Sequence, residues 1–413
     1  MPTPVLLDFE QRGLIADVTT RDEFAQHLAG ASRTVYVGFD PTADSLHVGS
    51  LVPLLALRRM QLAGHRPVVL VGGGTGLIGD PAGKAGERAL SPEEQVAACA
   101  ARLKAQVRPF LDFDRGPHAA ILVDNYEWLS RLEVIPFLRD VGKHFAVGAM
   151  IARESVRARL SAGISYTEFS YQVLQAYDFL ALFDRLGCTV QMGGSDQWGN
   201  ITAGTDLIRR MRGTAAYGLT MPLVTKSDGS KFGKTETGNV WLDPGRTSAY
   251  EMYQFWLNTN DADAGRFLKY FTFLALSEID VVVRESQAAP EKRAAQRLLA
   301  REVTRLVHGQ AATEEAERLG QRAFGRDVTE VLQDAGDAIP GAVLAATDAP
   351  RPVWRVLRDA GIVPSTSEAR RLIQQGGVEV NRERVVDLDR TLPPGRYAIK
   401  VGKRRVYRVV IEA

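Results

Sequence analysis

Cysteine is nearly missing from this 413-residue chain: Cys99 and Cys188 are the only two. They are too few for a disulfide framework, and neither has a second cysteine nearby to form a metal knuckle. Long apolar runs are missing as well. No stretch approaches the roughly 18 apolar residues of a membrane helix, and the opening MPTPVLLDFEQRG has acidic residues where a secretory leader would have a basic head. These absences lead us to expect a cytoplasmic protein in a reducing compartment, with no membrane partner. Net charge is small too, with 51 basic against 49 acidic side chains, so the overall charge implies no polyanion partner. Fixed-period repeats and low-complexity tracts are not found.

What is present is the composition of an ordinary globular protein, 45% hydrophobic and 24% charged. The length is more than one core needs and suits two or three domains. The charge is unevenly spread. Residues 351–413 hold 14 of the basic side chains and 7 of the acidic ones, a surplus of seven, while the preceding 350 residues carry a deficit of five. A basic tail attracts phosphate backbones, although a solvated basic face reads the same way.

Short apolar runs alternate with helical patterns through the front half. Val35–Phe39, Pro67–Gly72, Ala120–Val123 and Cys188–Met192 read as buried strands, with crossover helices over Leu51–Ala63 and Ser91–Val107. That order predicts an α/β fold whose parallel sheet is covered by helices. Four strand ends carry polar residues or glycine: Asp40, the run Gly72–Gly76, Asp124 with Asn125, and Gly193–Gln197. Sites in such sheets form where strand carboxyl ends converge.

After Trp241 the pattern becomes helical, at Ala249–Trp256, Ala289–His308 and Ala311–Leu319. The stretch 334–352 reads as a linker whose apolar GAVLAA suits a short helix. Beyond it, Val353–Ala360 opens a small domain, and Ser367 is placed to cap a helix over Ser367–Gln375 that Gly376 and Gly377 end. Val378–Asn381, Tyr397–Val401 and Val406–Ile411 read as short strands, with the basic turn 402–405 between the last two. The expected domains are 1–240, 241–335 and 351–413, with a linker at 336–350.

Two constellations carry candidate chemistry. His47-Val48-Gly49-Ser50 precedes the helical run at Leu51. A helix N-terminus there could stabilise phosphate, and Gly49 could let the backbone approach a flat ligand. A local cap and a surface histidine would look the same. Lys231-Phe232-Gly233-Lys234-Thr235 sets two lysines around a glycine, able to clamp a triphosphate, but without the glycine spacing of a P-loop. A solvated turn is the alternative.

Read together, the two resemble the paired signatures of class I aminoacyl-tRNA synthetases. The surrounding text is similar to the bacterial tyrosyl members: YVGFDPT from Tyr36, Asp44–Gly49, Gly79-Asp80-Pro81, YQVLQAYD over 171–178, GGSDQ over 193–197, and KFGKT, in the family's order. The end of the chain resembles an S4-type RNA-binding domain. One departure stands out, since the family's signature normally has histidine or asparagine where this chain has Ser50.

The resemblance implies a Rossmann-like catalytic domain with ATP and tyrosine sites, an α-helical anticodon-side domain and a small α+β S4-like domain. It implies an ATP-dependent ligase that forms tyrosyl-adenylate and pyrophosphate, then charges tRNA(Tyr), with Mg2+ accompanying ATP, no tightly bound cofactor, no resident metal, and a homodimer, for which the apolar stretch Val134–Ile151 is a candidate interface. For L-tyrosine it implies Tyr36 and Asp178 at the phenol, Tyr171, Gln175 and Asp80 at the ammonium, and Gln197 beside them. An ionised Asp178 is the expected acceptor. Positions 171, 175 and 178 share one helix face, which a plain buried stripe would also do. For ATP and the adenylate it implies Gly38, Asp40, Thr42, His47, Gly49, Ser50 and Asp196, with Lys231, Lys234 and Thr235 on the phosphates. Lys84 and Arg88 are expected at pyrophosphate or the tRNA end, and Arg370, Arg371, Lys403, Arg404 and Arg405 at RNA. The sister enzyme for tryptophan is the nearest alternative.

Overall fold

The Val- and Leu-rich runs form the expected sheet. In this computed structural model, which describes residues 4–82, 90–114, 116–157, 163–227, 229, 232–235, 238–324, 341–346, 350–402 and 405–412, the strands are β1 (Asp17–Val18), β2 (Thr34–Phe39), β3 (Arg66–Val71), β4 (Ile121–Asp124), β5 (Cys188–Gly194) and β6 (Tyr217–Met221). Their spatial order is β1-β6-β5-β2-β3-β4. All neighbours are parallel except β1, which pairs antiparallel with β6 at the edge. The chain runs from β2 outward through β3 to β4, then crosses back to β5 and β6 on the other side. The order therefore reverses between β2 and β5, which opens a crevice at their carboxyl ends.

Helices cover the sheet. Leu51–Leu62 follows β2, Glu93–Val107 follows β3, and Tyr166–Leu186 and Trp198–Arg212 flank β5. The Tyr166–Leu186 helix starts at Ser165, whose hydroxyl accepts from the Glu168 amide, and stops at Gly187, which is left-handed at φ 61°. A cap of this kind contributes about 1 kcal/mol. Its inner face places Ala176, Phe179, Leu180 and Leu182 in one core with Tyr36 and Val68. Each large apolar side chain buried there contributes roughly 1.5–3 kcal/mol.

Two compact units emerge, Met1–Asp243 with Asn260–Ala288, and Pro244–Thr259 with Ala289–Ala413. The helices Asp261–Phe271 and Leu276–Ala288 therefore pack with the sheet. Buried arginines hold them: Arg12 donates to the Leu274 carbonyl at 2.8 Å, and Arg59 donates to that of Thr272. Asp8 accepts from both guanidiniums. Burial pushes Arg59 down to about 10, still well above neutrality. Near the end of this unit β7 (Lys234–Thr235) and β8 (Gly238–Asn239) form a small antiparallel ribbon.

The second unit contains the helices Ala249–Leu257, Ala294–His308 and Gln310–Phe324. The first opens on a complete capping box between Ser248 and Glu251. A five-stranded sheet follows in the order β12-β11-β14-β15-β9. It comprises β9 (Gly341–Leu344), β11 (Val378–Val380), β12 (Glu383–Val385), β14 (Gly395–Val401) and β15 (Arg405–Ile411), and β10 (Arg351–Pro352) pairs separately with β13 (Thr391–Leu392). Two expectations change here. GAVLAA is no helix: Gly341–Leu344 pairs parallel with Arg408–Ile411. A run this short carries no helical period, and a Cβ at Gly341 would stand 2.4 Å from the Arg408 carbonyl oxygen, so glycine admits the neighbouring strand. The cap of the Thr366–Gln374 helix is Ser365, not Ser367. Among the described residues no helix is long and apolar enough to cross a membrane.

Candidate functional site

The crevice between β2 and β5 holds a cavity of about 600 Å³. Tyr36, Gly38, Asp40, Thr42, His47, Gly49, Ser50, Asp80, Tyr171, Gln175, Asp178, Asp196 and Gln197 all line it, although they come from five separate stretches of chain. Lys84, Arg88, Lys231, Lys403 and Arg404 lie outside the described residues, and Lys234, Thr235 and Arg405 are described in backbone only. Arg370 and Arg371 are exposed on the Thr366–Gln374 helix of the other unit. Arg370 lies 4.7 Å from the Trp354 ring centre and Arg371 lies 3.8 Å from Glu368.

One end of the cavity is closed and polar. Tyr36, on β2, is 1% exposed and its ring centre lies 5.2 Å from that of Phe179. Its hydroxyl has no hydrogen-bond partner among the described residues. Asp178, 2% exposed, accepts from Trp128 Nε1 at 2.7 Å on Oδ1 and from Asn125 Nδ2 at 2.8 Å on Oδ2. Burial pushes its carboxyl up to about 8, while the two donors pull the other way. Gln191, which stands beside Tyr36 in the β2–β5 register, and Gln175 each present a buried amide oxygen without a partner among the described residues. Such orphaned acceptors and hydroxyls are costly unless something polar meets them.

The middle of the cavity is acidic. The Tyr171 hydroxyl donates to Asp40 Oδ2 at 2.7 Å, and Thr75 Oγ1 donates to Asp40 Oδ1 at 2.7 Å. Burial, Asp40 and Asp80 all push the Tyr171 phenol far up, so it remains a neutral donor. Asp80 accepts from Gln197 Nε2 at 2.7 Å and from the Ala82 amide at 2.9 Å. Burial, reinforced by Asp80, raises Asp196. A cationic group entering here would find carboxylates on several sides. The glycines after β3 make this packing possible. A Cβ at Gly72 would fall 2.0 Å from Asp40 Oδ1, and one at Gly73 would fall 2.3 Å from Asp124 Oδ1. Asp124 in turn pairs with Lys104 at 2.7 Å.

The other end is open and made largely of backbone. His47 is exposed and its Nδ1 accepts from the Gly49 amide at 3.0 Å, which leaves the proton on Nε2. A Cβ at Gly49 would lie 2.7 Å from the His47 ring, so glycine lets the ring keep this position. Ser50 directly precedes the Leu51–Leu62 helix and makes no side-chain cap. The segment 240–242 ties this turn to the lysine motif. The Val48 amide donates to the Val240 carbonyl, the Leu242 amide to that of Leu46, and the Val240 amide to that of Gly233. Gly233 is left-handed at φ 75°, and a Cβ there would press Val48 at 3.1 Å. Phe232 anchors the motif 5.1 Å from Phe267 and 5.4 Å from Phe271 between ring centres. The two signatures, about 180 residues apart in sequence, therefore share one backbone framework.

Sequence reading missed Trp128 and Gln191, and it placed Thr75 only within the run Gly72–Gly76 without a role of its own. Gln191 carried a usable signal, a polar side chain inside the apolar run CTVQM. Trp128 had none, because it lies on a four-residue helix, Tyr126–Leu129, whose direction only the fold sets.

Comparison with known proteins agrees with this geometry. Residues 29–325 match the family model for class I tRNA synthetases (W and Y), and 353–396 match the S4 domain model. The chain is 50% identical to tyrosine--tRNA ligase of Bacillus caldotenax over 98% of this chain and 99% of that one. It is 48% identical to the ligase of the same name from Chromobacterium violaceum, over 99% of each. Among solved structures, a C-terminally truncated mitochondrial tyrosyl-tRNA synthetase of Aspergillus nidulans superposes with a TM-score of 0.70 at 31% identity, over 78% of this chain and 94% of that one. The crevice, the joined signatures and these likenesses lead to one conclusion: the chain belongs to the tyrosine--tRNA ligase family of ATP-using class I aminoacyl-tRNA synthetases, with an S4 RNA-binding domain following the synthetase domain in sequence.

Proposed function

We propose that this cleft binds L-tyrosine with its phenol between Tyr36 and Asp178, its ammonium toward Asp80, Tyr171 and Gln175, and Gln197 beside them. The observation that carries the reading is the pairing of an unpartnered, buried Tyr36 hydroxyl with an Asp178 held by two donors. A phenol supplies both a donor and an acceptor to such a pair. ATP lies over Gly38, Asp40, Thr42, His47, Gly49 and Ser50, with Asp196 on its ribose and Lys231, Lys234 and Thr235 on its phosphates. A Cβ at Gly38 would have only Leu70 within reach, at 3.6 Å, so the floor there is open to a flat base.

A tyrosine carboxylate oxygen attacks the α-phosphorus, the bond to the bridging oxygen of the β-phosphate breaks, and pyrophosphate leaves. A hydroxyl of the tRNA's terminal adenosine then attacks the carbonyl carbon and releases AMP. No protein nucleophile is needed. Orientation and phosphate charge stabilisation supply the rate, with His47 Nε2 donating to a phosphate oxygen. Mg2+ accompanies the triphosphate of ATP.

Val134, Ile135 and Val147 are 68%, 72% and 60% exposed, an apolar surface suited to a second copy of the chain in a cytoplasmic homodimer. Lys84 and Arg88 belong to pyrophosphate or the tRNA end. Arg370, Arg371 and Lys403–Arg405 belong to tRNA(Tyr), bound by charge and shape. Pyrophosphate exchange into ATP tests the first step: it is expected with tyrosine and absent with phenylalanine or tryptophan, and equal exchange with tryptophan overturns the slot assignment. A chain ending at Asp348 is expected to keep exchange and lose tRNA charging.

A further inference from the structure

An unbroken hydrogen-bond chain runs beneath the cleft from its closed end to its middle. Trp128 Nε1 donates to Asp178 Oδ1 at 2.7 Å, and Asn125 Nδ2 donates both to Asp178 Oδ2 at 2.8 Å and to Thr75 Oγ1 at 2.9 Å. Thr75 passes its single proton to Asp40 Oδ1 at 2.7 Å, and Asp40 Oδ2 receives the Tyr171 hydroxyl. The polarity is fixed at every link. The Gly74 amide donates to Asn125 Oδ1 at 2.7 Å, so that side chain must turn its NH2 toward Thr75 and Asp178. Asn125 is 0% exposed and Thr75 is 2% exposed, so water does not substitute readily. Packing leaves the chain no slack, because a Cβ at Gly72 would sit 2.4 Å from Thr75 Oγ1 and 2.0 Å from Asp40 Oδ1.

We infer that Thr75 is a positioning residue that couples the two ends of the cleft, transmitting the seating of the substrate phenol at Asp178 through Asn125 to Asp40 on the nucleotide side. Thr75 is suited to this because its hydroxyl is at once the acceptor for one end and the donor to the other, and linked bonds in a buried chain strengthen one another. It lines the cavity from below and is left out of every substrate contact proposed above. The inference rests on the assignment of Asp178 to the phenol and Asp40 to the nucleotide. Coupling of this kind would make activation rate, rather than tyrosine affinity, sensitive to the central hydroxyl.

Thr75→Val removes the hydroxyl and keeps the branched shape. In pre-steady-state activation and equilibrium tyrosine binding on the full chain, it is expected to slow adenylate formation at least tenfold while changing the tyrosine Kd less than threefold. Thr75→Ser is expected to restore the rate to within threefold of the parent. Trp128→Phe, at the far end of the hydrogen-bond chain, provides a double-mutant cycle, and the two losses are expected to depart from additivity by at least fivefold. Additive losses within twofold, a Kd that rises in proportion to the lost rate, or a serine variant as slow as the valine one would each overturn the coupling. If valine prevents folding, Thr75→Cys, a weak donor and acceptor, is expected to fall between serine and the tenfold loss, and parental kinetics in that variant would also overturn it. A parent protein that exchanges no pyrophosphate with tyrosine would instead refute the assignment of the slot.

Discussion

The closed end of the cleft is a set of side chains locked by other side chains, whereas the open end is a stretch of backbone with side chains laid on it. Asp178 is 2% exposed and both its oxygens are taken, one by Trp128 on the short Tyr126–Leu129 helix and one by Asn125 just before it. His47 is exposed, and its Nδ1 accepts a hydrogen bond from an amide two residues away. The first arrangement fixes one acceptor position within a buried shell, which suits choosing between similar amino acids. The second leaves groups at the mouth whose favourable contacts can form as charge develops on a phosphate. Selection and chemistry are thus built from different materials within one cavity, and substitutions at the two ends should fail in different ways.

The largest effect is expected from Asp178→Asn. Either amide orientation sets an NH2 against Trp128 Nε1 or Asn125 Nδ2, leaving a buried donor unsatisfied at roughly 1–3 kcal/mol in addition to the lost acceptor. The specificity constant for tyrosine in pyrophosphate exchange is expected to fall about a thousandfold. A loss under tenfold would break the contrast by showing that the closed end tolerates rearrangement. His47→Ala comes next, with a loss of about a hundredfold in activation rate, the usual cost of one preorganised donor at a transition state. Tyrosine Kd should stay within twofold. A matching rise in Kd would mean that the open end also holds the amino acid.

Acidity separates the two ends more gently. Burial raises Asp178 to about 8, so between pH 6.5 and 8.5 it passes from mainly protonated to mainly ionised. The ionised form can accept from Asn125, Trp128 and a phenol together, whereas a carboxyl proton has to be accommodated among those donors. Tyrosine affinity is therefore expected to improve several-fold as pH rises through that window, below the ordinary phenol value near 10. Equilibrium dialysis across the window checks this. A flat profile would show that the two donors outweigh burial and keep the carboxylate ionised throughout.

The central sheet was legible because parallel strands are buried on both faces and read as unbroken apolar runs, as β2, β3 and β5 do. β6 escaped, although all five of its residues are buried, because YGLTM interrupts the apolar signal with Gly218 and Thr220. The cap at Ser365 was available: Ser365-Thr366-Ser367-Glu368 has the spacing of a capping box, while Ser367 has Arg370 three residues later. At the site, the motif residues were legible as types and positions. What joins them was not. The run of glycines after β3 announces a tight place, but only the fold reveals that each one makes room for a particular neighbour, Asp40 with Thr75 at Gly72 and Asp124 at Gly73. The closed end suffered most, since Asn125 and Trp128 act on Asp178 across about 50 residues of sequence.

The smallest effect is expected at Ser50, where the signature departs from its family. Its amide bonds the His47 carbonyl at 2.8 Å, so the backbone turn survives any side chain there. The hydroxyl makes no cap to the Leu51–Leu62 helix and lines the cavity beside His47. One neutral hydrogen bond to the nucleotide, direct or through water, is worth about 0.5–1.5 kcal/mol, so Ser50→Ala is expected to slow activation roughly two- to tenfold with tyrosine Kd unchanged. An unaltered single-turnover rate would remove Ser50 from the reaction and leave His47 and the lysine motif to carry the open end. A loss near a hundredfold would be more instructive, because it would mean that a short hydroxyl on an exposed turn is held as firmly as the carboxylate at the buried end, and the division between the two halves of the cleft would no longer stand.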